Sequence, residues 1–475
     1  MGSSGINTAF SLTLSSPTTP PTVSSPSTIT IYSQHSDTTR IDSCTPTITN
    51  TVASGFQAST FTPNSTTVQA GITATLTLTI ARTFSNVDTI TIAVPSTMTG
   101  ATLTANNFAT FTQDTTGNVI TINNFPASPS TIAIGNSIIF TMNSISNPAS
   151  TQPETFTITF LRDGRVYQQG TITYTATSST VTSYSITPAS TTVHTTPTAT
   201  IAISTTLTVP SGSVITINYP TTVSASDITS TAVTTAIVNS AVVTGVTYSV
   251  SANTITISGL FGSDTTGSTS ITIGTFVNPI NVEPSAYPVT ISTSGGFAVM
   301  TGTTTLTATT TSLSSFGVTP SSTTVLETGV TYSAAITTNH QFTAISLTLP
   351  GDISVGSGVE TTCTPNSFSS CSLVGSNLTY EGTLPAGSYT LTWGLVTNPS
   401  SLKPTDSFSV ITLLNGWQVE RSQGTVSVTM TQTASFSSFA VTPSSYVNSA
   451  TISVTLLMTF PTNTPAGQLT VTFPS

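Results

Sequence analysis

One phrase recurs along the chain at a domain-sized interval, and that recurrence limits the fold more than any other feature. Phe61-Thr62-Pro63-Asn64-Ser65-Thr66-Thr67-Val68 returns as Ile186-Thr187-Pro188-Ala189-Ser190-Thr191-Thr192-Val193 and again as Val318-Thr319-Pro320-Ser321-Ser322-Thr323-Thr324-Val325. A fourth copy begins at Val441-Thr442-Pro443-Ser444-Ser445, and the Thr-Pro pairs stand 125, 132 and 123 residues apart. A second landmark, an apolar or aromatic residue before proline, follows each Thr by 31 to 33 residues, at Val94-Pro95, Tyr219-Pro220, Leu349-Pro350 and Phe473-Pro474. A third is Asn147-Pro148, Asn278-Pro279 and Asn398-Pro399, with Ser16-Pro17 in the equivalent place near the start. Three landmarks in one order define a tandem array of units, each long enough to bury its own core.

The frame divides the chain into residues 1–58, the back part of a truncated repeat; three complete repeats at 59–182, 183–314 and 315–437; and 438–475, the front part of another. The two partial units do not sum to a whole one, because about 33 residues of the unit are missing between them. An excerpt from a longer array accounts for this. The alternative is completion of partial units by neighbouring chains, as in donor-strand complementation.

Within a repeat the hydrophobic period is two. Ala199-Thr200-Ile201-Ala202-Ile203-Ser204, Thr254-Ile255-Thr256-Ile257 and Ser270-Ile271-Thr272-Ile273 place aliphatic side chains on one face and hydroxyls on the other. Threonine and serine together make up about 39% of the sequence, and β-branched threonine suits a pleated surface. Proline, glycine and asparagine interrupt the runs every ~8–12 residues, the spacing of a sandwich or barrel. Asp163-Gly164 and Asn415-Gly416 are two-residue hairpin signals, and Gly295-Gly296 holds the same place in the middle repeat. Seven or eight strands per unit predict an all-β chain of tandem immunoglobulin-like β-sandwiches of about 125 residues, forming an elongated array.

The Thr-Pro-Ser-Ser-Thr-Thr-Val opening at 319–325, the strand ending at Leu349-Pro350, the Cys363/Cys371 pair and the run from Val396-Thr397-Asn398-Pro399 to Lys403-Pro404-Thr405 carry a family likeness. The chain resembles the tandem immunoglobulin-like repeats of very large Ser/Thr-rich surface or secreted proteins of ciliates and other protists. The resemblance implies an extracellular array and supplies no catalytic residues.

Only 4% of the residues are charged, the net charge is −9, and Lys403 is the single lysine. That leaves no basic footprint for nucleic acid or anionic lipid. No run approaches the ~18 apolar residues of a membrane-spanning helix, so no membrane insertion is expected. Fifteen acidic residues spread over almost four repeats argue against calcium-rigidified units, which need clustered carboxylates. No nucleophile elbow or phosphate-binding glycine loop is present. The sequence therefore predicts no enzyme, no metal and no cofactor. His35, His194 and His340 sit in different parts of their repeats and read as solvated or capping residues.

Four groups of residues remain as candidates. Cys363 and Cys371 enclose seven residues and are placed to close a disulfide under oxidising conditions, leaving Cys44 over. Arg162, Asp163, Arg165, Glu420 and Arg421 concentrate charge in the late hairpins of their repeats, together with Asp37, Arg40 and Asp42 in the first partial unit. These hairpins either contact the next repeat or a neighbouring chain, or present a solvated tip. Asn64 and Asn377 head N-glycosylation sequons, two where composition alone gives about nine. That deficit reflects either a surface packed against other copies or asparagines biased into turns and Asn-Pro pairs. The fourth group is the Ser/Thr surface itself, where glycans would supply the hydration that the missing charges do not.

The opening Met1-Gly2-Ser3-Ser4-Gly5 has no basic segment of a signal peptide, while the composition suits export. The expectation is an extracellular or cell-surface structural glycoprotein, whose repeats assemble into or decorate a filament, coat or ciliary appendage. Its partners would be other copies or neighbouring repeats. The alternative is an adhesin stalk carrying a binding domain outside this stretch.

Overall fold

In the computed structural model the described residues are 27–28, 30–45, 47–48, 52–98, 100–105, 112–125, 130–229, 232–361, 363, 367–432, 438–447, 451–459 and 469–472. Ser16-Pro17 and Phe473-Pro474 lie outside them. The described chain is almost entirely β-structure, with two single-turn 3₁₀ segments, Ala225–Asp227 and Val359–Thr361.

The middle repeat shows the plan. One sheet orders its strands Ser179–Thr180, Ala298–Leu306, Ser285–Ser292, Val214–Asn218, Thr254–Ser258 and Thr247–Ser251. The other orders Ser183–Pro188, Ala199–Val209, Thr265–Ile273, Val233–Val238 and Ala241–Val242. Between them lies a core of Ile201, Ile203, Ile215, Ile217, Ile255, Ile257, Phe276 and Tyr287, among others. The repeats on either side have the same two-sheet plan and cores of their own. The period-two pattern is the cause. In Gly71–Thr79 every second residue, Ile72, Ala74, Leu76 and Leu78, is buried, and the intervening threonines face outward. Each buried aliphatic side chain contributes roughly 1.5–3 kcal/mol. The fold is therefore that of tandem immunoglobulin-like sandwiches.

Each repeat has more strands than seven or eight. After Val214–Asn218 the chain crosses to the opposite sheet as Val233–Val238. It then returns as the hairpin Thr247–Ser251/Thr254–Ser258, which widens the first sheet. An added hairpin at this edge is a feature of variable-type immunoglobulin sandwiches, but here it follows the crossing strand. The outermost strand is half exposed, so its alternation is too weak to stand out in the sequence.

The hairpin turns follow their glycines. Asp163 (φ 49°) and Gly164 (φ 73°), and likewise Asn415 (φ 55°) and Gly416 (φ 83°), both take left-handed conformations, as a type I′ turn requires. The middle hairpin differs. Its loop runs from Thr293 to Phe297, closed by a bond from the Thr293 N–H to the Phe297 carbonyl, and only Gly296 has positive φ.

Candidate functional site: the junctions between repeats

The three landmarks prove to be parts of one clamp. Each Thr-Pro ends an early strand of its repeat, an edge strand whose last residues, Pro63, Pro188 and Pro320, pair with Ala74, Ala199 and Tyr332. Proline is tolerated there because one side of an edge strand has no partner to donate to. At the second landmark the residue before proline makes the last ladder bond. The N–H groups of Val94, Tyr219 and Leu349 donate to the carbonyls of Asn118, Asn253 and Ser376 at 2.7–2.8 Å, and proline then stops the strand.

The third landmark holds the first. Buried Asn147 donates its Nδ2 to the carbonyls of Ser65 (3.0 Å) and Thr67 (2.7 Å). Asn278 does the same to Ser190 and Thr192, both at 2.8 Å, and Asn398 to Ser322 (3.0 Å) and Thr324 (2.8 Å). The following proline carbonyl accepts from the residue after Thr-Thr-Val, so that Gln69, His194 and Leu326 are fixed at φ 57–59°. Only an asparagine or glutamine side chain donates two such bonds without carrying charge, and asparagine is the shorter.

A second tie comes from the end of each repeat. Thr177, Thr309 and Thr431 pair in parallel with Thr67, Thr192 and Thr324. Their hydroxyls bond those of Thr66, Thr191 and Thr323 at 3.0–3.2 Å. Two residues further on the chain already belongs to the next repeat, for Ser179 pairs with Met300 and Thr311 with Glu420. Ser178 and Thr310 are thus the whole linkers, one residue each.

Direct contacts reinforce these linkers. At the first junction the Gln69 side chain donates to the Thr208 carbonyl and accepts from the Thr208 N–H (3.0 Å), Leu207 packs against the cores of both repeats, and the Thr151 N–H donates to the Ala298 carbonyl (2.8 Å). At the second junction the Val282 N–H donates to the Gln418 carbonyl (3.0 Å), and Asn281 Nδ2 to the Leu414 carbonyl (3.2 Å). Val193, Ala308, Ile280 and Val282 there form an apolar cluster with Leu414 and Val419. Thr151 and Val282 each lie four residues after the Asn of their Asn-Pro pair, so both junctions use the same positions.

The two histidines do not stand free. His194 of the middle repeat stacks on His340 of the third, ring centroids 4.3 Å apart and planes 18° apart. Reading them as solvated or capping residues in unrelated places is therefore corrected. They come from successive repeats, and it is the junction that brings them together. His340 Nδ1 lies 3.3 Å from Oε1 of buried Glu420, which also accepts from the Asn339 N–H at 2.8 Å. Burial, and next the neighbouring His340, lower the His194 pKa to about 4.

The hairpin charges are placed within their own repeats. Arg162 grips the buried carboxylate of Asp88 through Nε and Nη2, both at 2.8 Å, and Tyr167 donates its hydroxyl to the same carboxylate at 2.8 Å. The bond to Asp88 raises the Arg162 pKa further, and burial raises that of Tyr167. Asp163, Arg165 and Arg421 are exposed, while Glu420 faces His340. It is Leu414, Gln418 and Val419, not these charges, that carry the hairpin's contact with the preceding repeat.

Cys363 and Cys371 form a disulfide (S–S 2.12 Å) that ties the loop after Val359–Thr361 to the edge strand Ser370–Val374, and Cys44 is free and exposed. Asn64 and Asn377 are exposed, their Oδ1 atoms accepting from the Thr73 N–H (3.1 Å) and the Thr348 hydroxyl (2.8 Å). Among the described residues no group of three or more His, Cys, Asp or Glu gathers to hold a metal. No helix among them is long and apolar enough to cross a membrane.

No protein family and no curated protein matches the chain. Among solved structures it is similar to the C-terminal domain of an antigen I/II-family protein of Streptococcus pyogenes, at 9% identity and TM-score 0.20, over 59% of this chain and 99% of that one. It is also similar to the corresponding domain of the Streptococcus agalactiae antigen I/II polypeptide BspA, at 10% identity and TM-score 0.21, over 54% and 96%. The Escherichia coli adhesin FdeC is a third, at 13% identity and TM-score 0.18, over 80% and 100%. Likenesses this distant carry no argument about function, and the sandwich fold rests on the sheets themselves.

Proposed function

We propose that the chain is an extracellular structural protein, a stiff array of sandwiches that assembles into or decorates a filament, surface coat or ciliary appendage, with no catalytic role. The one-residue linkers Ser178 and Thr310 carry this reading. A linker with no free length, backed by contacts at matching positions, transmits bending and tension from repeat to repeat, whereas domains that work independently are joined by flexible segments. The edge strands Thr112–Thr116, Thr247–Ser251 and Ser370–Val374 contain no lysine and one acidic residue, Asp114, so they lack the usual guards against lateral pairing with other copies. Low charge also removes repulsion between copies. N-glycans on Asn64 and Asn377 fit their exposure.

Negative-stain microscopy of the purified chain tests the rod. Three repeats of ~40 Å, from strands of about ten residues at 3.3 Å each plus turns, predict straight particles of about 12 nm. Beads bending freely at the junctions would overturn the reading.

A further inference from the structure

The two junctions share their backbone plan but not the side chain at its centre. At the first, the residue after Thr-Thr-Val is Gln69, whose amide is bonded at both ends to Thr208 and has no proton to gain near neutrality. At the second it is His194, stacked on His340 with its Nε2 buried and without a partner. The titratable groups facing this ring come from three elements: His340 on the turn of the third repeat, Glu420 on its hairpin, and Asp227 at the end of the middle repeat's own 3₁₀ turn. His340 lies against the buried Glu420 carboxylate, 3.3 Å from its Oε1. A proton on His194 would place a cation in a buried site with no acceptor for its Nε2 and with the His340 ring stacked 4.3 Å away. Neither backbone can relieve that. His194 is held at φ 57° by its bond to the Pro279 carbonyl, and Thr310 is the whole linker.

We propose that the second junction is a proton-sensitive joint: acidification parts His194 from His340 and lets the third repeat swing against the middle one, while the first junction stays closed. The lowered pKa of His194 sets the window. Undocked, back in water and away from His340, its ring takes a proton near the ordinary value of 6.5; docked and buried, it does so only near 4. The undocked state therefore binds more protons between those values, and docking weakens as pH falls through the window. It is unaffected above about pH 7. A shift of that size changes the docking equilibrium by at most about 300-fold. Partial exposure of the ring brings this to roughly tenfold to a hundredfold. The joint serves a filament subunit and a stalk alike.

The test is single-molecule energy transfer on the full chain, with dyes attached through noncanonical residues at exposed Val242 and Val374 across the second junction. Val87 and Val242 report the first. Histidine-labelled NMR on the same chain follows ring protonation. The expected result is a Val242–Val374 distance that broadens between pH 6.5 and 4 as His194 protonates, a Val87–Val242 distance that does not change, loss of the response in His194→Gln, and a smaller response in His340→Gln, where burial alone still opposes the proton. An equal response at both junctions, a response that survives in His194→Gln, an undiminished response in His340→Gln, or protonation of His194 without any change in distance would overturn the proposal.

Discussion

Replacing Asn398 with alanine removes three interactions from one buried point. Its Nδ2 bonds the carbonyls of Ser322 and Thr324, and its Oδ1 accepts the hydroxyl of Tyr332, itself fully buried, at 2.7 Å. Each bond contributes about 1 kcal/mol net, and each buried group left without a partner costs about 1–3 kcal/mol more. The phenol of Tyr332 is one such group. The sum is a loss of about 4 kcal/mol from the third repeat, a large share of a domain's ~5–15 kcal/mol. The assay is favoured by the sequence, because both tryptophans of the chain, Trp393 and Trp417, lie in the third repeat. Their emission during urea unfolding reports that repeat alone. With a slope of about 1.5 kcal/mol per M, the midpoint should fall by roughly 2–3 M. Asn398→Asp should be worse than alanine, since a carboxylate cannot donate to two carbonyls and is repelled by them. Tyr332→Phe combined with Asn398→Ala should recover part of the loss, as it removes the stranded hydroxyl. A midpoint within about 0.3 M of the parent for Asn398→Ala would refute the clamp.

Three further outcomes follow from the same structure. Cys363→Ser opens a disulfide loop with a sequence separation of 8, worth about 2.5 kcal/mol by loop entropy, so the tryptophan-reported midpoint of the third repeat should fall while the other repeats hold. Arg162→Met leaves the Asp88 carboxylate buried and unpaired, a loss of about 3–5 kcal/mol that hydrogen exchange should confine to the first repeat. Adding Asp88→Asn to that variant should restore most of it. Gly302→Ala drives a Cβ into Val181 Cγ2, where the segment after Ser179–Thr180 crosses the last strand of the middle repeat, and overpacking of about 1–3 kcal/mol should appear in that repeat. Differential scanning calorimetry resolving that transition checks it, and an unchanged transition would show that the segment does not lie on the strand.

The sandwich was legible because it rests on local signals. Alternation in Gly71–Thr79 and Ala199–Val209, and left-handed turns at Asp163-Gly164 and Asn415-Gly416, need no partner far along the chain to be seen. The outermost strand Thr247–Ser251 was less visible than its partner Thr254–Ser258, since a half-exposed strand blurs the period. The Asn-Pro pairs stood out as markers, but their work did not, because Asn147 reaches back about 80 residues to its carbonyls. The stack of His194 on His340 was hidden for a different reason. Counted from their own Thr-Pro pairs the two residues are unrelated, and only the end-to-end joining of repeats makes them neighbours. Aligning the residue after each Thr-Thr-Val, which is Gln69, His194 and Leu326, was the signal that would have marked the junction.

Cryo-electron microscopy of the native material, with peptide mapping of the same sample, tests the central claim most directly. The account predicts ordered assemblies in which sandwiches follow one another through the same one-residue linkers and copies touch laterally at recurring, repeat-specific contacts. Isolated flexible rods without regular contacts between copies would contradict it, and would leave the stalk reading in its place.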